Sequence, residues 1–297
     1  MLWILIALIA PLTQGLANVL DSYFINNPFK NPTTLIFFSA SLSLIFLPLI
    51  FLIQIPSIPP IGMLLPLMLT GFLNVAYAYP YYKALQRTDV SSVSALFSLG
   101  KILVPILAFL IVGEILSISQ YAGFLIIVVG AFLLSIDFGH RLKVGKALPL
   151  MALASFATSL ESVVYKFVLN SISWSTALSW STVFSLIFIS VIVLVSRQWR
   201  PIFQSFSRFR SKLPLLAGEE LLTFTGSAAV VLAISLAPVT LVKGITALQP
   251  IFVLVIAVIL KKQYKHFSFK EEVHRRALLK KVILFIAIII GSILIGA

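Results

Sequence analysis

Lys101 and Glu161 are the two residues whose positions demand a chemical explanation first. Each lies deep inside an apolar run, Lys101 in 90–112 and Glu161 in 147–169. At 1.5 Å rise per residue, Lys101 sits roughly 16 Å into its run, too deep to reach either surface by extending its side chain. An ionisable side chain at that depth costs about 2.5–3.5 kcal/mol on insertion scales, so it needs a partner or a task. Lys101 suits an anionic or zwitterionic solute, or proton exchange; the structural alternative is an internal ion pair holding helices together. Glu161 suits a substrate amine or a proton, and is positioned to meet Lys101 across the fold. Lys166 follows Glu161 by five residues, a spacing that does not stack the two on one helical face. It reads as an anchor near a membrane interface.

Other polar residues fall on helical stripes. Gln14, Asn18 and Asp21 follow i, i+4, i+7, so they share one face. Such a stripe on an apolar helix faces protein or water, lining a cavity or hydrogen-bonding between helices. Asn74, Tyr77 and Tyr81 repeat the spacing, with Tyr79 and Tyr82 off that face; aromatic side chains of this kind wall pockets, mark membrane interfaces or simply pack. Lys243, early in its run, either reaches the cavity or snorkels outward. Glu219 and Glu220 stand near the start of a run, where negative charge complements the helix dipole. Pro80 and Pro105 are candidate kinks. The expected substrate-binding set is therefore Lys101, Glu161, Gln14, Asn18, Asp21, Asn74, Tyr77, Tyr81 and Lys243.

The elements that position these residues follow from composition. Of 297 residues 60% are apolar and only 10% charged, against about 25% charged in soluble domains. A cytosolic globular enzyme and a disordered chain are both excluded on that ground. Ten apolar segments can be read, near 2–24, 33–53, 62–85, 90–112, 117–136, 147–169, 175–196, 214–236, 239–260 and 280–296. Each approaches the roughly 20 residues that span a bilayer. The first could serve as a signal peptide, but it lacks a basic leader and its apolar run continues past any early cleavage point; it is read as a retained helix. The expected fold is an all-α integral membrane protein of ten transmembrane helices, with membrane lipids and a small-molecule solute as its partners.

Charge sets orientation. The net charge is +13, and 19 of the 22 basic residues fall in the loops after the odd-numbered segments or at the segment ends beside them. The positive-inside rule makes those loops cytoplasmic and places both termini outside the cytoplasm. The same distribution argues against nucleic acid as a partner. Residues 261–281 hold eight basic and two acidic side chains, a solvated loop or a surface for anionic lipid headgroups. With no cysteine, and with His140, His266 and His274 at no ligand spacing, no metal site is expected. No P-loop pattern occurs, so no nucleotide-driven step or other cofactor is expected. Scattered serines without an in-span histidine make an intramembrane enzyme a poor reading.

The chain also repeats itself. Shifting by 149 places Ala84, Val93, Leu99, Ile102, Val104 and Ala108 on Ala233, Val242, Leu248, Ile251, Val253 and Ala257. Shifting by 144 places Leu16, Val19 and Asn26 on Leu160, Val163 and Asn170. Both shifts put the first segment on the sixth and the third and fourth on the eighth and ninth. A repeat with five spans, an odd number, returns inverted in the membrane, an architecture common among secondary transporters.

Ala84-Leu85, Val90-Ser91, Val104-Pro105, Gly113-Glu114 and Gly123 with Gly130 together resemble the EamA-type repeat of the drug/metabolite transporter superfamily. Ala233, Val239-Thr240, Gln249-Pro250 and Gly291 resemble it a second time. The resemblance implies two inverted five-helix halves, 1–138 and 147–297, around a central cavity. It further implies a secondary transporter of small polar metabolites such as amino acids or drugs, working by alternating access, and no enzyme. The alternative is a non-transporting membrane scaffold or partner-binding protein. Two departures stand out: Gln263 where the first copy has Glu114, and the charged insertion Tyr264 to Lys281. The charge asymmetry is also the reverse of that in many relatives.

Overall fold

A computed structural model describes residues 2–136, 145–200, 202, 206, 210–253, 255–256, 284, 286–288, 290–291 and 293–295. The basic stretch 261–281, Gln263 and the three histidines lie outside the described residues. The described elements are all helical. They are α1 (Leu2–Asn26), α2 (Pro32–Phe46), α3 (Pro48–Phe51), α4 (Ile61–Leu85), α5 (Val90–Gly100), α6 (Leu103–Val112), α7 (Ile118–Ile136), α8 (Leu148–Leu169), α9 (Trp174–Val195), α10 (Leu213–Leu236) and α11 (Val239–Thr246). Among the described residues, seven spans are long and apolar enough to cross a membrane, counting α5 with α6 and α2 with α3 as single spans. Three shorter apolar helices, Ile118–Leu133, Val239–Val253 and Ile286–Ile295, accompany them. The chain is a multi-pass membrane protein.

Helix starts follow from local chemistry. Asn31, Asp89 and Ser173 each accept a backbone N–H of the following turn, from Thr33, Ser92 and Thr176, so α2, α5 and α9 begin where a side-chain acceptor satisfies an orphan donor. Burial is arranged as lipid requires. On α1 Leu5, Ile9 and Leu12 are 66%, 40% and 53% exposed, whereas Asp21 is 6% exposed. Small Ala7, Ala10 and Ala17 turn inward with Gln14, Asn18 and Asp21. The polar stripe thus faces protein and the leucines face the hydrocarbon side.

Prolines break three apolar runs that the sequence reads as continuous. Proline has no N–H, so the carbonyl four residues earlier loses its helical donor. Pro48 frees Leu44 O, which Leu47 N takes instead at 3.3 Å, and α2 gives way to α3. Pro105 frees Lys101 O, which Val104 N takes at 2.9 Å, and a turn at Lys101–Ile102 separates α5 from α6. Pro250 frees Thr246 O, and a turn at Ala247–Leu248 ends α11 before the chain becomes helical again. Pro80, by contrast, stays within an unbroken α4.

Helices meet where side chains are absent. α1 packs most extensively on α10, and α4 on α8. A Cβ on Gly71 of α4 would stand 2.6 Å from Phe184 Cβ and 2.8 Å from Ser185 N of α9. Backbone atoms cannot yield as a flexible side chain can, so Gly71→Ala is expected to destabilise by about 1–3 kcal/mol, the range of overpacking. Gly62 has open space around it, and Gly62→Ala is expected to be neutral or slightly stabilising. Thermal unfolding of the two variants in detergent checks both signs. Gly123 and Gly291 bring α7 and the last apolar stretch into backbone contact in the same way.

Glu114 holds a junction between distant parts of the chain. α6 ends on Gly113, whose φ of 67° is the left-handed conformation that a C′ glycine adopts without strain. That turn aims Glu114 at the start of α11. Its carboxylate accepts Val239 N at 2.7 Å and Thr240 N at 3.0 Å, two otherwise orphan donors. Glu114→Gln removes the charge and one good acceptor. A loss of about 2 kcal/mol is expected, from the usual worth of hydrogen bonds to charged groups. Unfolding midpoints of Glu114→Gln and Glu114→Asp check it.

Candidate functional site

One cavity of about 200 Å³ opens among the helices. Its wall is drawn from α1, α2, α4, α5, α8, α9, α10 and α11. All nine residues singled out from the sequence lie on it: Gln14, Asn18, Asp21, Asn74, Tyr77, Tyr81, Lys101, Glu161 and Lys243. Their convergence comes from helix packing. The stripe on α1 meets the stripe on α4 through Tyr81, whose hydroxyl lies 2.9 Å from Asn18 Oδ1 and 3.0 Å from Asp21 Oδ2. A volume of this size admits a small metabolite; drug-sized ligands occupy pockets of roughly 300–1,000 Å³.

The broken helices supply one end of the cavity. Lys101 stands at the break between α5 and α6, not inside a continuous helix, and is 5% exposed. Its Nζ donates to Thr246 O at 2.6 Å. That carbonyl is the one Pro250 leaves without a donor, so a proline in one break creates the acceptor for a lysine in the other. Ser98 Oγ donates to the next carbonyl, Ala247 O, at 2.8 Å. The two interrupted helices are therefore tied together at their interruptions by a charge-assisted and a neutral hydrogen bond.

The expected meeting of Lys101 with Glu161 is not what the structure shows. Lys101 is committed to the backbone of α11, and the basic group whose field acts on Glu161 is Lys243. Asn74 Nδ2 donates to Glu161 Oε1 at 3.3 Å and orients it. Lys243 thus turns into the cavity and does not snorkel outward, because α11 begins at Val239 and carries it inward within its first turn or so. Lys166 lies on the same helix as Glu161 but caps another one. Its Nζ donates to Ile234 O at 3.1 Å and Ala237 O at 3.0 Å, the orphan carbonyls at the end of α10.

The other end of the cavity is acidic, and the sequence reading of it needs correction. Glu219 and Glu220 do not cap a helix N-terminus. α10 starts at Leu213 with Pro214 in its first turn, so both carboxylates fall a turn or more inside it. They are 2% and 4% exposed and line the cavity. Thr223 Oγ1 donates to Glu219 Oε1 at 2.9 Å, and Ser43 Oγ donates to Glu220 Oε1. Tyr82, placed off the binding face by its spacing, also lines the cavity and donates to Asp21 Oδ1 at 3.0 Å. Serines and threonines complete the wall, Ser39, Thr158, Ser162, Ser181, Thr182 and Ser185 among them. Hydroxyl residues are too common in apolar helices to have signalled themselves.

The chamber thus presents fixed dipoles and charges of both signs, from lysines and carboxylates, to whatever enters it. Among the described residues no group of three acidic or histidine side chains is arranged to hold a metal ion.

Comparison with known proteins adds two findings. The description of the EamA-like transporter family fits residues 1–136, from the start of α1 to the end of α7. Over that stretch the chain is similar to members of the EamA-like transporter family. A solved crystal structure matches the fold across 99% of this chain and 96% of its own, with a TM-score of 0.66 at 13% identity. That likeness concerns the fold alone and runs over both parts of the chain. No curated protein matches in sequence. The EamA-like segment supplies Lys101, Asp21 and the α4 stripe, and its family is one of membrane transporters of the drug/metabolite type.

Proposed function

We propose that the protein is a secondary transporter of small polar metabolites, working by alternating access of the central cavity, and not an enzyme. The observation that carries this reading is the cavity itself: a polar, charged chamber enclosed by lipid-facing helices, with the two broken helices crossing at its wall. Discontinuous helices whose freed carbonyls border a central site are a recurrent feature of such carriers.

The reading includes two five-helix halves, 1–138 and 147–297, the second inverted, giving ten spans in all. The lining positions support it. A shift of 144 carries Gln14, Asn18 and Asp21 onto Thr158, Ser162 and Tyr165, which also line the cavity. A shift of 149 carries Asn74, Ala78, Tyr81 and Tyr82 onto Thr223, Ser227, Val230 and Val231, again lining positions. The pairings α1 with α10 and α4 with α8 exchange when the halves are exchanged, which suits the same arrangement. Charge distribution supports an orientation with both termini outside the cytoplasm.

The nine residues read from the sequence serve here as the solute-binding set, joined by Tyr82, Glu219 and Glu220. A mixed pool of small metabolites loaded into proteoliposomes, with efflux read by mass spectrometry, tests the function. Depletion of one chemical class is expected. Retention of the whole pool across pH gradients of both signs contradicts the reading and favours a scaffold.

A further inference from the structure

Of the charged groups on the cavity wall, four are carboxylates and two are lysines: Asp21, Glu161, Glu219 and Glu220 against Lys101 and Lys243. Lys243 and Glu161 act on each other, and Lys101 is held by Thr246 O. Among the described residues, no cation acts on the remaining three carboxylates. The charges acting on Glu219 are Asp21 and Glu220, and the charge acting on Glu220 is Asp21. Hydroxyl donors from Tyr81, Tyr82, Thr223 and Ser43 orient these groups without neutralising them. One acceptor is left over: on Glu219, which lines the cavity, Oε2 is buried and has no hydrogen-bond partner among the described residues.

The distance between the two ends follows from helix register. A Cβ on Gly226 of α10 would stand 2.8 Å from Gln14 Cγ, so these two residues face each other. α1 and α10 pair Asp21 with Glu219, seven residues on from Gln14 and seven back from Gly226 respectively. The helices are therefore antiparallel in register, and the acidic end lies about 10 Å from the level of Gln14. Gly15 at that level is against Phe252 and Gln249 O, just past the break that Lys101 grips.

Building on the carrier reading of this cavity, we propose that its substrate is a small organic cation with a primary ammonium group, bound at Glu219 with its Oε2 as the free acceptor and with Asp21 and Glu220 adding negative charge nearby. A primary ammonium brings three N–H donors and one charge to an end of the cavity that offers a free acceptor and, among the described residues, no cation. A buried carboxylate group without a counter-charge is costly, and the ligand removes that cost on entry. A metal ion fits less well, since these side chains are not arranged to ligate one. A quaternary ammonium lacks the donors that Glu219 Oε2 requires. The rings of Tyr77 and Tyr81, 6.3 Å apart on the wall, cover the apolar stem of such a molecule.

The test uses the full chain purified in detergent and titrated with 1,5-diaminopentane, with choline and glutarate as controls. Binding of the diamine is expected at least 10-fold tighter than either control, and Glu219→Gln is expected to weaken it at least 10-fold. Where Glu219→Gln does not fold, Asp21→Asn carries the same expectation. Equal binding of choline or glutarate, or a variant that folds and binds the diamine as before, overturns the proposal. Proteoliposomes separate this failure from that of the carrier reading. Efflux of anionic or neutral solutes without amines leaves a carrier whose acidic end has another role; efflux of nothing removes both.

Discussion

Lys101→Met abolishes most transport while leaving the fold intact. The ammonium grips Thr246 O across two interrupted helices, and a hydrogen bond to a charged group is worth about 1.5–3 kcal/mol. If that grip operates when the cavity changes sides or holds its solute, its loss lowers the rate about 10- to 100-fold, at 1.36 kcal/mol per decade. Stability responds differently. Methionine occupies similar volume and brings no charge, so the cost of burying an ammonium is removed. Thr246 O then loses its donor, which offsets part of that gain. The expected outcome is an unfolding midpoint close to that of the parent with transport down by at least tenfold. A scaffold would show the opposite split, a changed midpoint with no transport to lose. Paired efflux and melting measurements on one preparation distinguish the two.

Glu161 and Lys243 provide the second large effect. Each faces the cavity, and each is the other's counter-charge. Glu161→Gln strands a lysine, and Lys243→Met strands a carboxylate; each alone lowers stability. The double variant strands neither. A double-mutant cycle is expected to recover much of the stability lost by the singles, with a coupling of about 0.5–3 kcal/mol, the range for residues in one electrostatic network. Transport is expected to stay lost in the double variant, because a solute meets no charge there. Recovery of transport together with stability would reduce the pair to a structural clasp.

These two experiments rest on residues that were legible in the sequence for a physical reason. A lysine or glutamate deep in an apolar run is conspicuous, and a polar stripe at 3–4 spacing declares a protein-facing side. Hence Lys101, Glu161 and the stripes on α1 and α4 converge on one cavity. Their partners were less visible. Lys101 bonds to a backbone carbonyl, which has no side-chain signature; only Pro250, four residues on, marks that carbonyl as free. Glu219 and Glu220 lie within two turns of the start of an apolar run, where the helix dipole alone accounts for negative charge, so the sequence offers no sign that they face a cavity. Burial between helices gives that role: both are almost fully buried and line the wall. Tyr82 sits one residue from Tyr81, and a 100° step seemed to turn it away. Asp21 lies between their hydroxyls and brings both to the same wall.

The absence of cysteine makes the central claim directly measurable. A single cysteine placed at Ser162, on the cavity wall, is the only thiol in the chain, and Leu125→Cys on the outer face serves as a control. Membrane-impermeant thiol reagents are then applied from each side of oriented proteoliposomes. Alternating access predicts that the cysteine at 162 reacts from both sides, and that the transported solute protects it from both. Reaction from one side only, or from neither, would contradict the account.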